Sequence, residues 1–246
     1  MALLCTVIAG VFILVGAIIA FITKKNEKFV QFSISMALGV MVMLVCVELL
    51  PESQELIGSY VNNYLKGLLI IVFVILGIVM LKVLDMFIPD HEIKESKSEN
   101  LYHIGVVSSV ALILHNLIEG MAIYSSAETS LDMGLMITLG VGLHNIPMGM
   151  VIATTLSSSD NSKSKNILTV LLIALSTLIG GIIMMFLSKY ITDLLLGILL
   201  CLTLGMLIYI IVFELLGEII ESKDKKTSLM GVIFGIIVFL FSFFLE

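Results

Sequence analysis

The sequence predicts an all-α, polytopic membrane protein: eight transmembrane helices related by inverted internal repeats, with both termini outside the cytoplasm. Three observations carry this. Of the 246 residues, 59% are apolar and only 13% charged, against roughly 45–50% and about 25% in soluble domains. The lysines alternate between loops. Two pairs of matching segments lie in spans that run in opposite directions.

The spans follow from unbroken apolar runs, since about 18 or more such residues cross a bilayer core of about 30 Å as helix. They are drawn at about 2–22, 29–50, 67–88, 103–126, 133–156, 166–187, 194–217 and 229–245, forming a single transmembrane domain. Span one has no basic n-region and outruns an h-region, so it reads as a span and not as a cleaved signal. Polar punctuation separates the rest: Lys24–Lys28, Pro51–Asn63, Pro89–Asn100, Glu128–Asp132, Ser157–Asn166, Lys189–Asp193 and Glu218–Lys226. Cys5, Cys46 and Cys201 lie far apart inside apolar runs, so no disulfide framework is indicated. Soluble enzymes and nucleic-acid binders are excluded by the same composition.

Orientation comes from lysine, because the chain has no Arg. Loops one, three, five and seven hold three, two, two and three lysines, whereas even loops hold only Lys66 and Lys189. Lys82 sits near the odd-loop end of span three, where it can snorkel. Basic residues favour the cytoplasmic side, so the odd loops face inward. The expected location is the cytoplasmic (plasma) membrane, with lipid as one partner.

The repeats come next. Gly39–Glu52 reads GVMVMLVCVELLPE and Gly205–Glu218 reads GMLIYIIVFELLGE, in spans two and seven. Leu114–Met121 reads LHNLIEGM and Leu143–Met150 reads LHNIPMGM, in spans four and five. Inverted-topology carriers place the substrate site at such a repeat interface, near the midplane.

The chemistry concentrates there. His115 and Glu119 are four apart and share a helix face, and antiparallel span five brings His144 to the same depth. A carboxylate at mid-span costs roughly 2.5–3.5 kcal/mol on insertion scales, so it is expected to face inward and to pair or bind. Imidazole suits zinc, iron, nickel and copper, and a carboxylate supplies charge compensation. Asn116 and Asn145 follow the two histidines, as ligands or as groups that orient ligands. Pro147 removes a helix hydrogen bond and suggests a broken helix lining a cavity. Gly120 and Gly149 suit close helix packing, and Gly231 with Gly235 gives a GxxxG face compatible with a homodimer. Glu48 and Glu52 near the outer end of span two, and Glu214, Glu218 and Asp85 near the inner mouth, would draw a cation by field focusing. His91, with Asp90 and Glu92, is a further candidate in loop three.

These motifs resemble the ZIP (Zrt/Irt-like) metal transporters over nearly the whole chain. HNLIEG is similar to the family's HN-x-P-E-G, HNIPMG to its H-x-x-P-E, GVMVMLVCVELLPE to its second span, and VLDMFIPDHE to the end of its third. The resemblance implies that His115, Asn116, Glu119, His144 and Asn145 hold the transported ion. It also places Met41 near a thioether position. The substrate implied is a divalent transition metal, Zn²⁺ foremost, with Fe²⁺, Mn²⁺ or Cd²⁺ as alternatives, and no resident cofactor. It would move into the cytoplasm as spans one, four, five and six shift against the others. Three departures stand out: Met148 replaces the second Glu, Ile118 replaces the span-four Pro, and span six lacks an acid. Without the bridging carboxylate, two close cations would repel strongly in a low-dielectric medium. One ion is therefore expected, with Met148 as a candidate soft ligand. The rival readings are a metal sensor, an alkali-cation or proton carrier, and an intramembrane metalloenzyme. The last lacks HExxH and GxSxG.

Overall fold

The computed structural model describes residues 1–23, 26–87, 97–158 and 162–245. His91 lies outside the described residues. Among the described residues, eight helices are long and apolar enough to cross a membrane: α1 (Ala2–Thr23), α2 (Glu27–Gly58), α3 (Asn63–Phe87), α4 (Lys97–Thr129), α5 (Leu131–Leu156), α6 (Lys163–Tyr190), α7 (Asp193–Glu221) and α8 (Lys225–Phe243). The protein is an all-helical, multi-pass membrane protein, as predicted.

The polar punctuation of the sequence works as helix capping. An open amide at a helix start needs an acceptor. Asn62 accepts from Leu65 N–H at 2.9 Å, Thr192 from Leu195 N–H at 3.2 Å, and Asp224 from Thr227 N–H at 3.0 Å. Asp224 also accepts from Thr227 Oγ1, and these bonds hold its carboxyl below the usual carboxylate range. The break between α4 and α5 falls at a single N-cap, Ser130. The helices overrun the predicted spans because capped polar residues extend them into the loops.

Two elements were not foreseen. α2 contains a π-helical segment at Leu44–Leu49, and α7 contains one at Ile210–Leu215. Each begins five residues after the matched glycine, Gly39 or Gly205. Leu50 N–H bonds Val45 O, and Leu216 N–H bonds Ile211 O. π turns cluster at functional positions, and these two hold Glu48 and Glu214. α2 then continues through Pro51 to Gly58, where the sequence suggested a loop. Pro51 stands in the first turn after the π segment, where the ladder is already shifted and a missing N–H matters least.

The helices sort into two groups. α1 packs on α5, α4 on α6, and α4 on α5; α2 packs on α8, and α3 on α7. The groups meet where α2 and α8 cross α5 and where α7 crosses α4. Glycines set the closest approaches. A Cβ at Gly120 would fall inside contact with the Thr177 carbonyl, and one at Gly180 inside contact with the Leu117 carbonyl. Gly149 against Ile13 and Gly16 against Ile146 repeat the arrangement between α5 and α1. Gly120 and Gly149, matched in the repeat, thus do the same work. Gly231 and Gly235 press on Phe32, Ser35 and Met36 of α2, so the GxxxG face is used within the chain.

α5 runs unbroken through Pro147, contrary to the expected break. α1 braces α5 on both sides of this proline through Gly16 and Gly149, and neighbouring helices let a membrane helix tolerate Pro.

Candidate metal centre

α4 and α5 are among the most buried of the eight helices, which places their polar residues deep in the bundle. His115 Nε2 lies 2.8 Å from Glu119 Oε1, and His144 Nε2 lies 2.9 Å from the same oxygen. Exposure is 1% for His115, 7% for Glu119 and 0% for His144. The (i, i+4) spacing delivers the first contact, and the antiparallel crossing of α4 and α5 delivers the second. The three ligand atoms lie within 4.8 Å of one another, close enough to converge on one ion.

A carboxylate only accepts hydrogen bonds, so His144 donates to Glu119 through Nε2–H. Binding a metal at Nε2 requires that proton to move to Nδ1 or to leave. His115 Nδ1 has no hydrogen-bond partner among the described residues. Glu119 Oε2, Asn116 Oδ1 and both amide atoms of Asn145 are also buried without a partner there. A buried polar atom left unpaired costs about 1–3 kcal/mol, so a set of them around one cluster fits a site built for a cation.

The structure joins three predicted ligands and treats the others differently. Asn116 Nδ2 donates to the Ile173 carbonyl of α6 at 3.3 Å, and its Oδ1 has no partner among the described residues. Met41 and Met148 are both buried in the apolar core. Glu48 is half-buried and Glu52 exposed. Glu52 lies within electrostatic reach of Glu119 and His115.

The other predicted acids gather at one mouth. Asp85, Glu214 and Glu218 line a cavity of about 290 Å³ with Asn100, His103 and Tyr209. Asp85 Oδ1 lies 2.7 Å from His103 Nε2, and Tyr209 donates to Asp85 Oδ2 at 2.7 Å. Asn100 donates to Glu218 Oε1 at 2.6 Å. Asp85, His103 and Glu214 bring ligand atoms within 4.8 Å of one another. Sequence reading missed His103, Tyr209 and Asn100. The only signal for His103 was its membership among four histidines; its partners sit on other helices.

Fold and site together define a class: a helical membrane protein with a buried imidazole–carboxylate cluster between its two central antiparallel helices. The chain belongs to the ZIP zinc transporter family, whose model matches residues 89–242. It is similar to the zinc transporter ZupT of Clostridium perfringens, 29% identical over 97% of this chain and 93% of that protein. It is also similar to the zinc transporters ZupT of Streptococcus mutans (27% identical, 96% and 94% covered) and Oceanobacillus iheyensis (27%, 96% and 94%).

Proposed function

We propose that this chain is a secondary transporter that carries Zn²⁺ into the cytoplasm across the plasma membrane, through the His115–Glu119–His144 cluster. The observation that carries the reading is the meeting of two buried imidazoles on one carboxylate oxygen between α4 and α5. Family membership and the named relatives support zinc as cargo; the same donors accept Fe²⁺, Mn²⁺ or Cd²⁺.

The whole chain acts as one transmembrane domain with odd loops inside, on the lysine pattern. α1, α4, α5 and α6 move against α2, α3, α7 and α8, so the cluster faces each side in turn. Asn145, and Asn116 through its open oxygen, complete the shell, with Met148 and Met41 as soft donors. Glu48 and Glu52 gather the ion outside. The cavity around Asp85, Glu214 and Glu218 receives it inside. Release is aided when the imidazoles or the carboxylate take protons, because each must be deprotonated to hold metal.

Zinc flux into proteoliposomes, read by an internal zinc dye, tests this. Saturable uptake is expected. Tight zinc binding with no flux under any proton or metal gradient would make the protein a sensor.

A further inference from the structure

We propose that the Ser108 hydroxyl is a step on the ion's path from the His115–Glu119–His144 cluster to the cavity lined by Asp85 and Glu218, where it supplies one oxygen to the moving ion; the inference rests on the transport reading above. Ser108 is on α4 and 1% exposed, and its Oγ has no hydrogen-bond partner among the described residues. Hydroxyls buried in helices usually bond back to a carbonyl three or four residues earlier. Ser109, Thr138, Thr155 and Ser242 do so here. Ser108 makes no such bond.

Helix register places this hydroxyl between the two cation sites. Ile104, which lines the cavity, stands four residues before Ser108, and His115 stands seven after it. At 3.6 residues per turn all three fall within about 40° of one another, with Ser108 about 10 Å along the axis from His115 and about 6 Å from Ile104. The neighbouring side chains on α4 offer an ion nothing: Val107, Ala111 and Leu112 are apolar and fully buried. The Ser109 hydroxyl is occupied by the Gly105 carbonyl at 2.6 Å. An ion stripped of polar ligands in an apolar stretch is strongly disfavoured, and a hydroxyl carries two acceptor lone pairs. The repeat sharpens the assignment. His144 matches His115, and the residue seven before it is Ile137, which packs on the apolar cluster of Cys5, Ala9, Ile123 and Val141. A hydroxyl thus stands on the cavity side of the centre, and an isoleucine at the matched place on the other side.

The test compares zinc flux into proteoliposomes and equilibrium zinc binding for the wild type, Ser108→Ala, Ser108→Thr and Ser108→Val. Thr and Val have nearly the same shape, so the difference between those two variants reads the hydroxyl and not the packing. Ser109→Ala is the control. Expected is a fall in Vmax of about two- to tenfold in Ser108→Ala against the wild type and in Ser108→Val against Ser108→Thr, the range that one hydrogen-bonding hydroxyl contributes to a barrier. Zinc Kd stays at the wild-type value throughout, and Ser109→Ala is unchanged. Equal Vmax in the Thr and Val variants, with wild-type Vmax in Ser108→Ala, would overturn the proposal and leave Ser108 a packing residue. A raised Kd with Vmax kept would also overturn it, because the hydroxyl would then belong to the binding centre and not to the path. Zinc binding without flux in the wild type would instead remove the transport reading on which the proposal rests.

Discussion

At the residue scale, the cluster is unusual for what it lacks. Glu119 stands alone between two imidazoles, and Met148 occupies the position where the family resemblance calls for a second carboxylate. One carboxylate offsets one divalent charge poorly and two hardly at all in a medium of low dielectric. The protein is expected to bind one zinc ion per chain, and Met148→Glu to admit a second, as read by metal analysis after equilibrium dialysis. A stoichiometry of two in the wild type would contradict this. The meeting of His115, Glu119 and His144 was legible because an (i, i+4) pair and a matched histidine in the next span fix a shared face and a shared depth. His103 and Tyr209 were not. Their partners lie on helices remote in sequence, and a single His or Tyr in an apolar run carries no spacing to read.

At the element scale, glycine decides how close the central helices come. Gly120 lets α4 lie against the α6 backbone at Thr177, and Gly149 lets α5 lie against α1 at Ile13. Gly120→Val forces these backbones apart, and overpacking of this kind costs about 1–3 kcal/mol. The expected result is a matching loss of unfolding free energy in mixed micelles, whereas Gly217→Ala, with open space at its Cβ, changes nothing. Span positions were legible from hydropathy, and the repeats from LHN and ELL. The π segments at Leu44–Leu49 and Ile210–Leu215 were not, because a π turn leaves no mark in hydropathy; only their recurrence at matched places shows them to be part of the repeat. Pro51 and Pro147 misled in the same way. Each looked like a helix break, and in each case packing or an adjacent π turn absorbed the missing hydrogen bond.

At the scale of the whole molecule, polar contacts between the two helix groups gather, among the described residues, around the cavity lined by Asp85 and Glu218. His103 to Asp85 and Asn100 to Glu218 join α4 to α3 and α7. If the groups move against each other, these contacts must break in every cycle. Cysteines at Asp85→Cys and His103→Cys, with Cys5, Cys46 and Cys201 replaced by Ser, allow the groups to be joined by a short cleavable thiol reagent. Flux is expected to stop on crosslinking and to return on cleavage. The same reagent on Gln31→Cys with Ser228→Cys, which lie within one group (Gln31 Nε2 to Ser228 Oγ, 3.0 Å), should leave flux intact. Equal arrest by both crosslinks would argue against movement between the groups.

Zinc is proposed to cross the membrane by way of the His115–Glu119–His144 cluster. The most direct measurement is the initial rate of zinc uptake into proteoliposomes for the wild type, Glu119→Ala and His144→Ala at matched protein content. Saturable uptake is expected in the wild type and a loss of at least about a hundredfold in either variant, since each removes a charged or imidazole ligand from a buried centre. Wild-type rates in either variant would place the path elsewhere in the molecule.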